Sequence, residues 1–197
     1  MNNAYDIVAA FEDKVATYAG SKYAIAVDTC TAAIMLSCKY YDVDTVIVPT
    51  RTYISVPFAV IHAGGKVVFD DAEWSGTYQL KPYPIIDGAL RFRRGMYEPG
   101  NLQCLSFHYK KILKIGRGGM ILTDDKDAVM WLKKMRYDGR EEIPLSEDDV
   151  SMVGWRFYVE PERAAKGLSL MDAIPDYNED LPVNYPDISK FSVFKGK

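Results

Sequence analysis

The sequence predicts an α/β fold built on a mostly parallel, doubly wound sheet, and three observations predict it. Short apolar runs rich in β-branched residues alternate with stretches of helical periodicity. Glycines and capping residues punctuate the junctions between them. The 197 residues suffice for one domain with a substantial buried core.

Each element has its own signal. Ile7, Val8, Phe11, Val15 and Tyr18 recur at helical spacing, and Gly20 marks a stop. Tyr23 to Val27 reads as a buried strand. The cluster Asp28-Thr29-Cys30-Thr31 then opens a helix from Ala32 to about Tyr40. Thr45 to Pro49 (TVIVP) is a second strand, Val56 to His62 a helix closed by Gly64-Gly65, and Lys66 to Phe69 a third strand. Asp70 to Pro82 is polar and irregular. Further strands are expected at Pro84 to Asp87, Leu102 to Phe107 and Gly119 to Thr123. Ala128, Trp131, Leu132 and Met135 line one face of a last helix. From Pro175 onward prolines and acidic residues dominate, which predicts an extended tail. The chain thus divides into a domain over 1–174 and a tail over 175–197.

Composition narrows the function classes. Hydrophobic residues make up 48% and charged residues 26%, as in ordinary globular proteins. A net charge of −3 supplies no basic field for nucleic acid or anionic lipid. Cys30, Cys38 and Cys104 have neither the spacing of a metal site nor the density of a disulfide scaffold, so a reduced, cytoplasmic setting and no metal are expected. The N-terminal stretch has no basic leader, and no apolar run approaches the roughly 18 residues of a membrane span. The first strand is followed by DTCTAA instead of G-x-G-x-x-G, which argues against a nicotinamide cofactor.

In such sheets ligands collect at the carboxyl ends of the strands, so the polar residues there are the candidate ligand contacts. Thr29, Cys30 and Thr31 stand between a strand and a helix, where free N–H groups and hydroxyls can cradle a phosphate. Asp87 ends a buried strand and can hold a protonated ring nitrogen. Lys111 lies in a loop between buried strands, where partial desolvation favours the neutral amine that attacks a carbonyl. Ser106, at a strand end, can donate to the same phosphate as Thr31. In isolation each pattern has an ordinary reading: a helix cap, a turn cap, a solvated lysine pair.

Their order along the chain resembles one family, the DegT/DnrJ/EryC1/StrS sugar aminotransferases. FEDKVATYAGSKYAIAVDTCTAAI is similar to the family's opening helix, first strand and phosphate loop. TVIVPTRTYISVPFAVIHAGGKVVFDD, PIIDGA, SFHYKKILKIGRGGMILTDD and MRYDGRE continue the likeness, and GWRFYVEPERAAKGL echoes it more faintly. The resemblance implies the three-layer large domain of fold-type I transferases and pyridoxal 5'-phosphate as cofactor. By position it makes Lys111, five residues after Ser106, the covalent attachment site; Lys110 is its neighbour. Asp87 would pair with the pyridine nitrogen, Tyr53 would stack on the ring, and Thr31 and Ser106 would bind the phosphate. Arg156 would reach the phosphate of a partner subunit in a homodimer.

The sequence departs from that pattern at four places. Cys30 stands where the family has glycine and would crowd the backbone's approach to phosphate. Leu90 replaces a residue that contacts the ring hydroxyl. About a dozen residues join KVVFDD to PIIDGA, too few for the family's strand and crossover helix. The sheet should therefore lack one interior strand, with the second and fourth strands closing up as neighbours. The chain also ends short of the family's small C-terminal domain, leaving a tail free to drape over a neighbour. The implied activity is transfer of an amino group from glutamate to a keto sugar nucleotide; the alternative is a homologue that binds the cofactor, or assembles with a partner, without turnover.

Overall fold

The computed structural model describes residues 5–195; the first four residues of the N-terminal stretch and the last two of the tail lie outside them. In chain order the elements are α1 (Asp6–Ala19), β1 (Tyr23–Val27), α2 (Cys30–Tyr40), β2 (Thr45–Pro49), α3 (Ser55–His62) and β3 (Lys66–Asp70). They continue with β4 (Tyr78–Gln79), β5 (Ile85–Asp87), β6 (Leu102–Ser106), β7 (Gly119–Thr123), α4 (Lys126–Met135) and α5 (Pro161–Met171). Every helix and strand read from the sequence is present. Gly20 stops α1 as expected, adopting φ 84° while its N–H donates to Ala16 O. The Thr29 hydroxyl accepts from Ala32 N and starts α2, and the Asp125 carboxylate accepts from two amides to start α4.

Five strands form one sheet in the order β1-β7-β6-β5-β4, and β2 pairs with β3. Pairing is parallel between β5 and β6 and between β2 and β3, and antiparallel where β7 or β4 takes part. Since β7 runs against both of its neighbours, β1 points the same way as β6 and β5. One bridge, Ile47 to Lys81 just past β4, joins the two sheets and aligns β2 and β3 with the same majority. The dominant direction is therefore common to five strands, with β4 and β7 reversed.

That bridge also corrects one expectation. The second and fourth predicted strands do not become neighbours. The stretch taken as irregular folds back, and its Tyr78-Gln79 pairs antiparallel with Ile86-Asp87 while Lys81 reaches Ile47. A short reversed strand needs only a tight return, whereas a parallel one would need a crossover of a dozen residues or more. Backbone groups that would otherwise lie bare in the gap are thereby paired.

Alternation along the strands divides the core in two. Ile25 and Val27 of β1, Cys104 of β6 and Ile121 of β7 pack with α2, α3 and α4. Ala24 and Ala26, Leu105, and Met120 and Leu122 face the opposite way and pack with α1 and α5. The result is three layers, helices on both faces of the sheet. Gly167 lets α5 sit close, because a Cβ there would lie 2.5 Å from the Phe11 ring. The Glu12 carboxylate, buried on α1, accepts from Ala26 N and pairs with buried Arg136, whose guanidinium also donates to Ala26 O. This network ties α1, β1 and the end of α4 together.

The tail does not extend away. Beyond Pro175 the described residues form no α-helix or strand, yet they pack across their own domain. The Tyr18 hydroxyl donates to Pro175 O, Arg91 pairs with Asp180, Leu181 N donates to Leu90 O, and Ile188 N donates to Thr50 O. Ile188 is 1% exposed, and the Phe194 ring meets those of Phe58 and Phe69. Proline and acid content hid these contacts, because single apolar anchors in an irregular segment leave no periodic signal. Among the described residues no helix is long and apolar enough to cross a membrane.

Candidate active site

A cavity of about 410 Å³ opens at the carboxyl ends of β1, β5 and β6, within the size range of small-molecule sites. Thr29, Cys30 and Thr31 line it from the start of α2, Tyr53 and Ser55 from the loop and helix after β2, and Asp87, Ala89 and Leu90 from the end of β5. Ser106, His108, Lys110 and Lys111 come from the end of β6 and the loop beyond it. Six of the seven residues singled out in the sequence thus share one cavity. Arg156 does not. It pairs with Asp138 at 2.9 Å and lines a smaller depression with Asp28, Arg117, Tyr158, Glu160 and Arg163.

Asp87 forms the floor. It is 4% exposed, and its oxygens accept from Ala89 N at 2.9 Å and from the Tyr78 hydroxyl at 2.8 Å. Tyr78 has then donated its one proton, so the Thr52 hydroxyl, 2.6 Å away, must be the donor to Tyr78. Burial raises the Asp87 carboxyl above the usual carboxylate range, while the Ala89 N–H, the Tyr78 hydroxyl and the Lys111 charge pull it back. The Cys30 thiol points to the same carboxylate, with Sγ 3.9 Å from Oδ1, and burial pushes its pKa well up. The side chain expected to crowd the phosphate loop is thus directed at the floor.

Lys110 and Lys111 part company. Lys110 is exposed, with its ammonium over the Tyr109 ring, whereas Lys111 is half-buried and its Nζ lies 3.4 Å from the Tyr185 hydroxyl. Burial depresses the Lys111 amine below its ordinary 10.5, against the opposing pull of Asp87 and Cys30. The loop that carries it is pinned by Phe107 N to Gly118 O, Tyr109 N to Gly116 O and Lys111 N to His108 O.

At the other end of the cavity, the Thr31 and Ser55 hydroxyls lie 2.7 Å apart, beside the N-terminus of α2. Gly119 brings β7 against that turn. A Cβ at 119 would stand 2.5 to 2.6 Å from the backbone of Thr29 and Cys30, and backbone cannot yield as a flexible side chain can. Gly119→Ala should therefore push β7 off the turn, costing roughly 1–3 kcal/mol in urea unfolding. Wild-type stability in that variant would show that the turn moves freely.

Several residues of the cavity and its support escaped sequence reasoning. Tyr78 lay in the stretch read as irregular, Thr52 had no motif, and Trp74 and Tyr185 sat in segments without periodicity. Tyr53, read as a ring-stacking aromatic, is 57% exposed at the cavity's edge, with its ring 6.1 Å from that of Tyr185. Chemically, the site offers a helix N-terminus with hydroxyls for an anion, a buried carboxylate for a cationic ring nitrogen, and a depressed amine for a carbonyl.

Comparison with known proteins bears on this arrangement. The profile of the DegT/DnrJ/EryC1/StrS aminotransferase family matches residues 1–87 and 93–180. The spore coat polysaccharide biosynthesis protein SpsC of Bacillus subtilis is 31% identical over 134 residues, 66% of this chain and 34% of that protein. GDP-perosamine synthase of Caulobacter vibrioides is 25% identical over 212 residues, 85% of this chain and 57% of that protein. The chain thus spans between a third and three-fifths of these relatives. Among solved structures, the aminotransferase from Psychrobacter cryohalolentis superposes with a TM-score of 0.74 at 21% identity, covering 87% of this chain and 57% of that one. Helicobacter pylori PseC, at 16% identity, gives 0.67 over 83% of this chain and 56% of its own. These two likenesses carry the fold, and the family match extends over the strand ends that build the cavity: the chain belongs to the DegT/DnrJ/EryC1/StrS aminotransferase family.

Proposed function

We propose that this chain is a pyridoxal-phosphate-dependent aminotransferase that moves an amino group from glutamate to the keto group of a nucleotide-linked sugar. One observation carries the reading: the depressed amine of Lys111 and the buried carboxylate of Asp87 face a single cavity whose far end is a helix N-terminus flanked by hydroxyls. The donor set matches the cofactor's three demands, a carbonyl partner, a ring-nitrogen partner and a phosphate cradle. Close approach of β7 at Gly119 leaves the cradle's backbone in place beside the sheet. The sugar-nucleotide acceptor is supported by relatives named as a GDP-perosamine synthase and as a dTDP-3-amino-3,6-dideoxy-alpha-D-galactopyranose transaminase.

In this reading Lys111 holds the cofactor covalently, and Asp87 keeps a proton on the ring nitrogen. The cofactor, when bound, supplies an electron sink for the bond being broken. With the cofactor bound, Lys111 Nζ would be placed to take a proton from the substrate carbon and give it back. Thr31 and Ser106 bind the phosphate, the Cys30 amide lies at the same helix start, and Tyr53 covers the ring. Arg156 reaches the phosphate of a partner subunit, so the working form is a homodimer, and the free cysteines suit the reduced cytoplasm. Residues 1–174 would supply the cofactor-binding unit and 175–197 the tail, whose described residues, up to 195, fold on that unit.

The test is a half-reaction. Protein loaded with pyridoxal phosphate is mixed with glutamate alone, and the visible absorption band is followed. Amino transfer bleaches the band, and a keto sugar nucleotide then restores it. A band that glutamate leaves unchanged would replace this reading with the non-catalytic, cofactor-binding one.

A further inference from the structure

We infer that Tyr185, carried by the chain's own C-terminal segment, is a positioning residue for the Lys111 amine; the inference rests on the reading of Lys111 given above. The segment is fixed on both sides of this tyrosine. Before it, Asp180 accepts from Arg91 Nε at 2.8 Å and Nη2 at 2.6 Å, a fork that holds direction as well as distance. The neighbouring Leu181 N–H donates to Leu90 O at 2.9 Å, at the cavity wall. Beyond it, Ile188 is buried and its N–H donates to Thr50 O at 2.9 Å. Pro182 and Pro186 lie between these anchors and restrict the backbone that presents the tyrosine. Tyr185 is therefore held in place, and is no loose end.

Its side chain is placed as firmly. The ring stacks on Trp74 at 16°, with centroids 6.5 Å apart, and leans on Tyr53. The hydroxyl stands 3.4 Å from Lys111 Nζ. The cavity keeps about 410 Å³ with Tyr185 in its wall, so the phenol borders the space and does not fill it.

A lysine on a four-carbon stem samples many rotamers, and fixing one costs conformational entropy. A phenol suits this task better than a charged partner. Burial pushes Tyr185 up to about 12, so it keeps its proton at neutral pH. It accepts a hydrogen bond from the lysine as an ammonium and donates one to the lone pair of the neutral amine. The amine is held in both protonation states, whereas a second carboxylate here would stabilise the charged, unreactive form.

The experiment compares the full chain with Tyr185→Phe, Tyr185→Ala and Lys111→Ala. It follows the rate at which added pyridoxal phosphate develops its visible band, alongside the thermal midpoint of each protein. Tyr185→Phe keeps the ring packing and loses only the hydroxyl. It is expected to capture cofactor about fivefold more slowly, the worth of one hydrogen bond, with an unchanged midpoint. Tyr185→Ala should be at least as slow and also less stable. Asp180→Asn, which loosens the anchor outside the cavity, should slow capture with Tyr185 intact. Wild-type capture rates in Tyr185→Phe and Asp180→Asn would overturn the inference and leave Lys111's role standing. Absence of a band in the wild type, or an undiminished one in Lys111→Ala, would overturn both.

Discussion

Lys111→Ala is expected to abolish the visible band that pyridoxal phosphate develops with the wild-type protein, and with it all amino transfer. The band reports a covalent bond to one amine. Lys110, next in sequence, is exposed over Tyr109 and outside the desolvated part of the cavity, so it should not substitute. The same residue sets a pH dependence. Attack requires the neutral amine, and the neutral fraction rises as pH passes upward through the Lys111 pKa. Burial lowers that pKa from 10.5, while Asp87 on β5 and Cys30 at the start of α2 pull it back up. Tyr185 is uncharged, and Lys110 and His108 belong to the same loop. Capture should therefore reach its plateau at lower pH than it would for a free lysine side chain. A midpoint at or above 10.5, read from stopped-flow absorbance across pH, would mean that the pocket does not activate this amine.

Asp87→Asn should lower turnover by about 10²–10³-fold while leaving the band in place. The amide has nearly the same shape and can still accept from Tyr78 or from Ala89 N, two of the donors that meet the carboxylate now. What it lacks is charge. A buried carboxylate raised above the usual range gains a counterion when a protonated ring nitrogen lies against it, and each stabilises the ionised form of the other. Asparagine offers no such stabilisation, so the ring loses its proton and its capacity as an electron sink. Substitution also removes the cost of burying a charge, so the empty protein should be no less stable. Single-turnover bleaching by glutamate, measured beside equilibrium cofactor binding, separates the effects. Full turnover in Asp87→Asn would remove Asp87 from the chemistry.

Much of this site is legible in the sequence. Thr31, Cys30, Asp87, Ser106 and Lys111 all sit within or directly after predicted strands, and strand ends are where parallel sheets gather ligands. What escaped were the residues that orient them. Tyr78 donates to Asp87 from a two-residue strand too short to produce alternation, and Thr52 supports Tyr78 from a loop. Trp74 comes from the short connection that stands in place of the crossover and Tyr185 from the C-terminal segment, and the two meet only in space.

The sequence by itself determined the elements and their order, because apolar periodicity, capping residues and glycines act within a few positions of one another. It also determined the kinds of side chain available at the strand ends. Tertiary structure decided three things. It placed β4 as a reversed strand beside β5, since too few residues were available for a crossover. It directed the Cys30 thiol toward Asp87 and separated Lys111 from Lys110 by burial. And it laid the C-terminal segment across its own cavity, where Asp180, Leu181 and Ile188 find partners far away in sequence. Such pairings depend on how distant surfaces come together as the core closes, and no local pattern in the chain records them.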